Sequence, residues 1–247
     1  MEKRRKRIIA VTSGKGGVGK SSIVSNLAYL LGSMKELTFI LDADLSLGNI
    51  DIMFGVIPKY NIKDLIKEGK NIEEIVVEGP CGIKIIPATS GICEFSDLSP
   101  EEEKILFSSL QELPEYDFLI VDTSAGISSN VISFNAMSED VFVVVTPDPS
   151  SITDSYAVIK VLEKKTGRKR FNIVVNMVKD EEEALEIFRK LISVSDRFLD
   201  VSLSYFGYIP LDVNINQAIK KQKLWVEHFP ETMATKALSQ ICDRLVS

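Results

Sequence analysis

Gly14-Lys15-Gly16-Gly17-Val18-Gly19-Lys20-Ser21 is the stretch that most restricts how this 247-residue chain can fold. It matches the pattern G-x-x-x-x-G-K-[ST], follows the apolar run Ile8-Ile9-Ala10-Val11, and opens a helical pattern at Lys20–Ser33. Glycines let successive backbone N–H groups turn inward around an anion, and the N-terminus of the next helix adds positive potential there. Gly14, Gly16, Gly17, Val18 and Gly19 form the cradle of such a loop, and Ser22 follows in the first helical turn. In this setting Lys20 reaches the β- and γ-phosphates of a nucleotide, and the Ser21 hydroxyl ligates Mg²⁺. Strand, glycine loop and helix in that order require an α/β fold.

The remaining pattern extends the same architecture. Short β-branched runs at 7–12, 38–41, 84–87, 118–122, 141–146, 172–176 and 204–208 read as strands. Helical patterns separate or follow them at 100–113, 127–136, 151–165, 181–199, 214–221 and 231–245. Phe118-Leu119-Ile120-Val121 and Val141-Phe142-Val143-Val144-Val145 are apolar on both faces, as strands covered on both sides by helices are. Residues 74–77 and 82–87 read as a small hairpin at a sheet edge. The expected fold is a single-domain, doubly wound, mostly parallel sheet flanked by helices, with ligands beyond the strands' carboxyl ends. No repeat or linker divides residues 1–247, and residues 1–6 read as a basic, solvated tail.

Composition closes several other routes. At 45% hydrophobic and 26% charged, the chain has globular composition rather than that of a disordered one. Its 29 Lys and Arg against 35 Asp and Glu leave a net charge of −6 and a pI near 5.1, which argues against a general nucleic-acid binder. The basic run from Lys164 to Arg170 reads as a solvated turn. Cys81, Cys93 and Cys242 form no C-x-x-C pair, and His228 is the only histidine. A thiolate–imidazole zinc site or a four-cysteine iron–sulfur site within one chain is therefore excluded. The cysteines read as reduced cytosolic thiols. No apolar run approaches the roughly 20 residues of a membrane-spanning helix, and no secretory core follows the basic start. A cytoplasmic protein is expected.

Carboxylates complete the candidate site. Asp42 and Asp44 stand at the end of the second strand, where both can face a ligand once the chain leaves the sheet. Phe118-Leu119-Ile120-Val121-Asp122 is an apolar strand ending in Asp, the form that holds Mg²⁺ through water. Gly126, in Thr123-Ser124-Ala125-Gly126-Ile127-Ser128, can approach the γ-phosphate. Asn176 ends another apolar run, and its amide offers a donor and an acceptor to an adenine edge. No Asn-Lys-x-Asp guanine signature is present, so ATP is preferred over GTP.

Lys15 stands five residues before Lys20, and the resulting Lys-Gly-Gly-Val-Gly-Lys-Ser resembles the deviant Walker A of the MinD/ParA family of P-loop ATPases. The resemblance implies that Lys15 crosses a dimer interface onto the partner's nucleotide, as an arginine finger supplied in trans would. It implies that Asp44 orients the attacking water, that Asp42 supports the magnesium shell, and that Asn176 meets the base. By the same resemblance, Gly207-Tyr208-Ile209-Pro210-Leu211-Asp212 packs its backbone on adenine and Asp154 lies near the interface. Leu41 to Asp51 with Met53-Phe54-Gly55, the 122–128 segment and Pro147 to Leu162 are similar to the FlhG (FleN, YlxH) group. That group implies an ATP-dependent, Mg²⁺-dependent homodimerising switch with slow hydrolysis that controls flagellar number and placement. Its implied partners are an FlhF-like GTPase and flagellar switch or regulator proteins, with no specific nucleic acid. Cell-division MinD ATPases share most of these segments and stand as the alternative, ahead of a metabolic P-loop enzyme. About six residues precede the first strand, so the GTPase-stimulating extension of that group is not expected here. Residues 231–245, with Met233, Ala237, Leu238, Ile241 and Leu245 on one stripe, read as the last core helix. Unaided attachment to the inner face of the membrane is therefore not expected.

Overall fold

A computed structural model of the chain describes residues 6–45, 48–88 and 97–247; Ser46, Leu47 and Cys93 of the sequence reading lie outside the described residues. Eight strands form one sheet: β1 (Arg7–Ser13), β2 (Thr38–Ala43), β3 (Val77–Glu78), β4 (Lys84–Ile86), β5 (Phe118–Ala125), β6 (Asp140–Val145), β7 (Arg170–Val178) and β8 (Ser202–Pro210). Their order across the sheet is β3-β4-β2-β5-β1-β6-β7-β8. Every pairing is parallel except that of the short edge strand β3 with β4. All seven expected strands are present.

Alternation along the strands sorts their side chains to two faces. On one face Ile9, Val11, Ile40, Ile120 and Phe142 pack with helix α1 (Lys20–Ser33), the short α10 (Trp225–His228) and α11 (Met233–Val246). On the other, Phe39, Leu41, Leu119 and Val121 pack beneath α5 (Pro100–Gln111) and Phe134 of α6 (Ser129–Met137). Further along that face, Val143, Val145, Ile173 and Val175 meet α7 (Pro149–Thr166) and α8 (Glu181–Phe198). β2 is buried along its whole length, which explains its uninterrupted apolar character up to Asp42.

Side-chain caps decide where the helices begin. Ser99 and Glu102 form a reciprocal capping box ahead of Pro100 at the start of α5. The Ser128 side chain accepts the Val131 N–H, so α6 starts at Ser129 rather than at Ile127 as expected. Three short helices occupy a stretch that shows no clear period: α2 (Ile50–Phe54), α3 (Ile62–Glu68) and α4 (Ile72–Ile75). α4 corrects the expected hairpin, because Glu74 caps Asn71 in a helical turn and only Val77–Glu78 pairs with β4. Beyond β8 come α9 (Val213–Lys220) and then α10, the latter also unexpected.

Candidate functional site

The carboxyl ends of β1, β2 and β5 meet at one point of the sheet. Asp122 is the register partner of both Val11 on β1 and Asp42 on β2, so the two carboxylates are neighbours across adjacent strands. The glycine loop leaves β1 here and turns through Gly17 (φ 78°) and Gly19 (φ 89°), left-handed values that glycine adopts freely. Gly14 leans on α7 so closely that a β-carbon there would lie 2.2 Å from the Asp154 carbonyl carbon. This contact places Asp154 beside the loop. A cavity with about 1180 Å³ of open space lies over the loop, lined by Lys15 to Ser22 together with Asp44 and Asn49.

Of two buried carboxylates, one is paired with a buried cation. Lys20 Nζ lies 2.8 Å from Asp122 Oδ1, with both side chains buried. Asp42 accepts the Asp44 N–H at 3.2 Å and the Ile50 N–H at 3.1 Å. Burial, and then the charge of Asp122, push the Asp42 carboxyl up to about 8. At neutral pH the pair therefore retains a proton. On the same loop, Lys15 Nζ lies 2.5 Å from Asp148 Oδ2 and 2.7 Å from Ser150 Oγ. Asp148 caps α7 through the Ser150 N–H, and the Lys15 hydrogen bond holds its carboxyl down at about 2. Within the single chain, Lys15 thus rests on its own α7.

A second cavity of about 390 Å³ opens between α1, α9 and the ends of β7 and β8, and brings Asn176, Pro210 and Asp212 together. The β7–β8 register breaks between Asn176 and Val178, where Met177 takes a left-handed φ of 60°. Asn176 Nδ2 donates to the Val18 carbonyl at 2.7 Å, which leaves Oδ1 as its acceptor for a ligand. A β-carbon on Gly19 would lie 2.4 Å from that Nδ2, so the loop and Asn176 fit only with glycine there. Asp212 caps α9 by accepting the Asn214 N–H, and the Leu211 N–H donates to the Val178 carbonyl.

The two cavities share Gly19, Ser22 and Ile219 and form one continuous trough. Its residues suit a magnesium nucleotide. The loop is a backbone N–H cradle, Ser21 lines it, and the buried Ser22 hydroxyl has no partner among the described residues. No cluster of three His, Cys, Asp or Glu occurs among the described residues. Asp42 and Asp122, in register on adjacent strands, match the one or two carboxylates that Mg²⁺ takes before water and phosphate oxygens complete its shell. Sequence reading missed Asp148 and Trp225. An Asp-Pro after an apolar run signals a helix cap at Asp148, but its contact with Lys15 spans 133 residues of sequence. No local signal places Trp225 in the second cavity.

A family profile described as an AAA domain matches residues 6–181. The chain is 39% identical over 242 residues to the antiactivator FleN of Pseudomonas aeruginosa, covering 98% of this chain and 86% of that protein. It is 35% identical to the flagellum site-determining protein YlxH of Helicobacter pylori, covering 98% and 82%. The septum site-determining protein MinD of Pyrococcus horikoshii, solved with Mg-ADP, has the same fold, with a TM-score of 0.79 at 23% identity over 98% and 96% of the two chains. The order of the phosphate loop, the acidic strand ends and the Asn176 strand, carried by this sheet and these relatives, makes the chain a member of the MinD/ParA family of P-loop ATPases, in the group of FleN and YlxH.

Proposed function

We propose that this chain is an ATP-dependent switch that controls the number or placement of flagella. Two copies close around ATP, and slow hydrolysis reopens them. The observation that carries this reading is Lys15 on the phosphate loop of a chain 39% identical to FleN. In this reading Gly14, Gly16, Gly17, Val18 and Gly19 turn backbone N–H groups toward the phosphates, and Lys20, Ser21 and Ser22 add side-chain contacts. Asn176 Oδ1 accepts from the adenine amino group, beside the backbone of Pro210 and Asp212. Mg²⁺, which Ser21, Asp42 and Asp122 would hold, supplies neutralising charge at the phosphates. Asp44, at the rim of the cavity, positions the attacking water. Lys15 leaves Asp148 and reaches the nucleotide of the second copy, so its charge helps only after assembly.

The closed pair presents a surface that neither copy has alone, and flagellar regulator or switch proteins and an FlhF-like GTPase are its proposed partners. The setting is cytoplasmic, with any peripheral contact at the inner face of the membrane. No helix among the described residues is long and apolar enough to cross a membrane. Light scattering on the purified chain tests the switch. ATP with Mg²⁺ should double its mass and ADP should not, while Lys15→Ala should bind ATP and stay single. A Lys15→Ala protein that pairs and hydrolyses ATP at the wild-type rate overturns the trans-lysine role. Flagellar counts in cells carrying that variant test the cellular role, and misplaced septa with normal flagella would move the chain to the MinD-type reading.

A further inference from the structure

The second cavity contains a feature that the phosphate loop does not account for. Its floor is Trp225, which is 2% exposed and whose indole N–H has no partner among the described residues. The indole of Trp225 can only donate, and buried donors are almost always paired. Its position is fixed from below. The Val226 N–H donates to Asn26 Oδ1 at 3.1 Å, and Asn26 Nδ2 donates to the Ser22 carbonyl at 2.7 Å. α10 is thereby tied to the first turn of α1, directly behind the phosphate loop. Trp225 lines the cavity of Asn176, Pro210 and Asp212 but not the cavity over the phosphate loop. Ser22, whose buried hydroxyl also has no partner among the described residues, lines both.

We propose that Trp225 is a recognition residue for the nucleoside half of the ligand, donating its indole N–H to a ring nitrogen of the purine or an oxygen of the ribose. This rests on the nucleotide reading given above and assigns it a second determinant. Asn176 presents an acceptor, which selects a base with an amino group, and Trp225 presents a donor, which selects an acceptor beside it. Together they read both senses of a hydrogen-bonding edge, where Asn176 alone reads one.

The sequence holds a single tryptophan, so its fluorescence reports this site alone. Titration of the whole chain with ADP or ATP should change the emission, and tripolyphosphate should not. By calorimetry, Trp225→Phe should weaken ATP and ADP binding ~5- to 10-fold, the loss of one hydrogen bond, and leave tripolyphosphate affinity unchanged. Among deaza-adenine and deoxyribose analogues of ATP, the one lacking the acceptor should bind the wild type as weakly as ATP binds Trp225→Phe, with no further loss in the variant. Circular dichroism confirms that the variant is folded. Wild-type ATP affinity in Trp225→Phe overturns the proposal, as does an equal loss of tripolyphosphate binding, which would mean the ring only props up α1. A wild-type chain that binds neither ATP nor tripolyphosphate would instead overturn the nucleotide reading, and this inference with it.

Discussion

Lys15 and Lys20 share one loop, yet their surroundings differ. Lys20 is buried against Asp122, so its removal leaves a carboxylate with no cation in a site that already contains Asp42. Lys20→Met should therefore abolish nucleotide binding and destabilise the empty chain by about 3 kcal/mol, the scale for breaking a buried ion pair from one side, measured by urea unfolding. Lys15 and Asp148 are both partly solvent-exposed, so their contact orients the lysine without adding much to stability. Asp42 gives a pH signature. Its folded carboxyl titrates near 8 against an ordinary 3.8, so between these values the folded chain binds a proton that the unfolded chain has lost. The empty chain should thus lose stability as pH rises from about 4 to 8, and Asp42→Asn should flatten that slope in a series of thermal melts. Residue chemistry of this kind was only half legible beforehand. The types and order of Lys20, Ser21, Asp42 and Asp122 could be read directly. The resting place of Lys15 and the Trp225 side of the second cavity could not, since both depend on contacts between distant segments.

Elements carry the positions of these residues. The phosphate loop is pressed on α7 at Gly14 and on β7 at Gly19, and at both points a side-chain carbon would meet atoms closer than contact allows. Gly14→Ala should push the loop off α7 and weaken ATP binding at least tenfold, a loss on the order of 1.4 kcal/mol, while far-ultraviolet dichroism stays unchanged. Wild-type ATP affinity in that variant would mean that the loop is not held by α7. Strands with long apolar runs, such as β5 and β6, could be read without difficulty. α2 to α4 escaped because helices of four to seven residues cover too few turns for a period to emerge. Their caps were the readable signal: Asn61 with Asp64 and Asn71 with Glu74 form capping boxes.

At the scale of the molecule, the sheet gathers the candidate site from strands far apart in sequence. β1, β2 and β5 stand side by side at its centre, and β7 and β8 extend the trough to the cavity beside Asn176. The order of these strands could not be read from the chain, because parallel neighbours are joined by crossovers that leave no mark on local sequence. The pairing of Asp42 with Asp122 has a consequence of its own. Residues in register on adjacent buried strands cannot separate unless the ladder between them breaks, so the site cannot relieve its crowded charge by moving. Lys20 offsets one of the two charges, and a hydrogen ion held on Asp42 offsets the other. In the proposed reading, binding of a magnesium nucleotide should therefore displace that hydrogen ion into the medium and tighten as pH rises, which calorimetry in two buffers of different ionisation enthalpy would register.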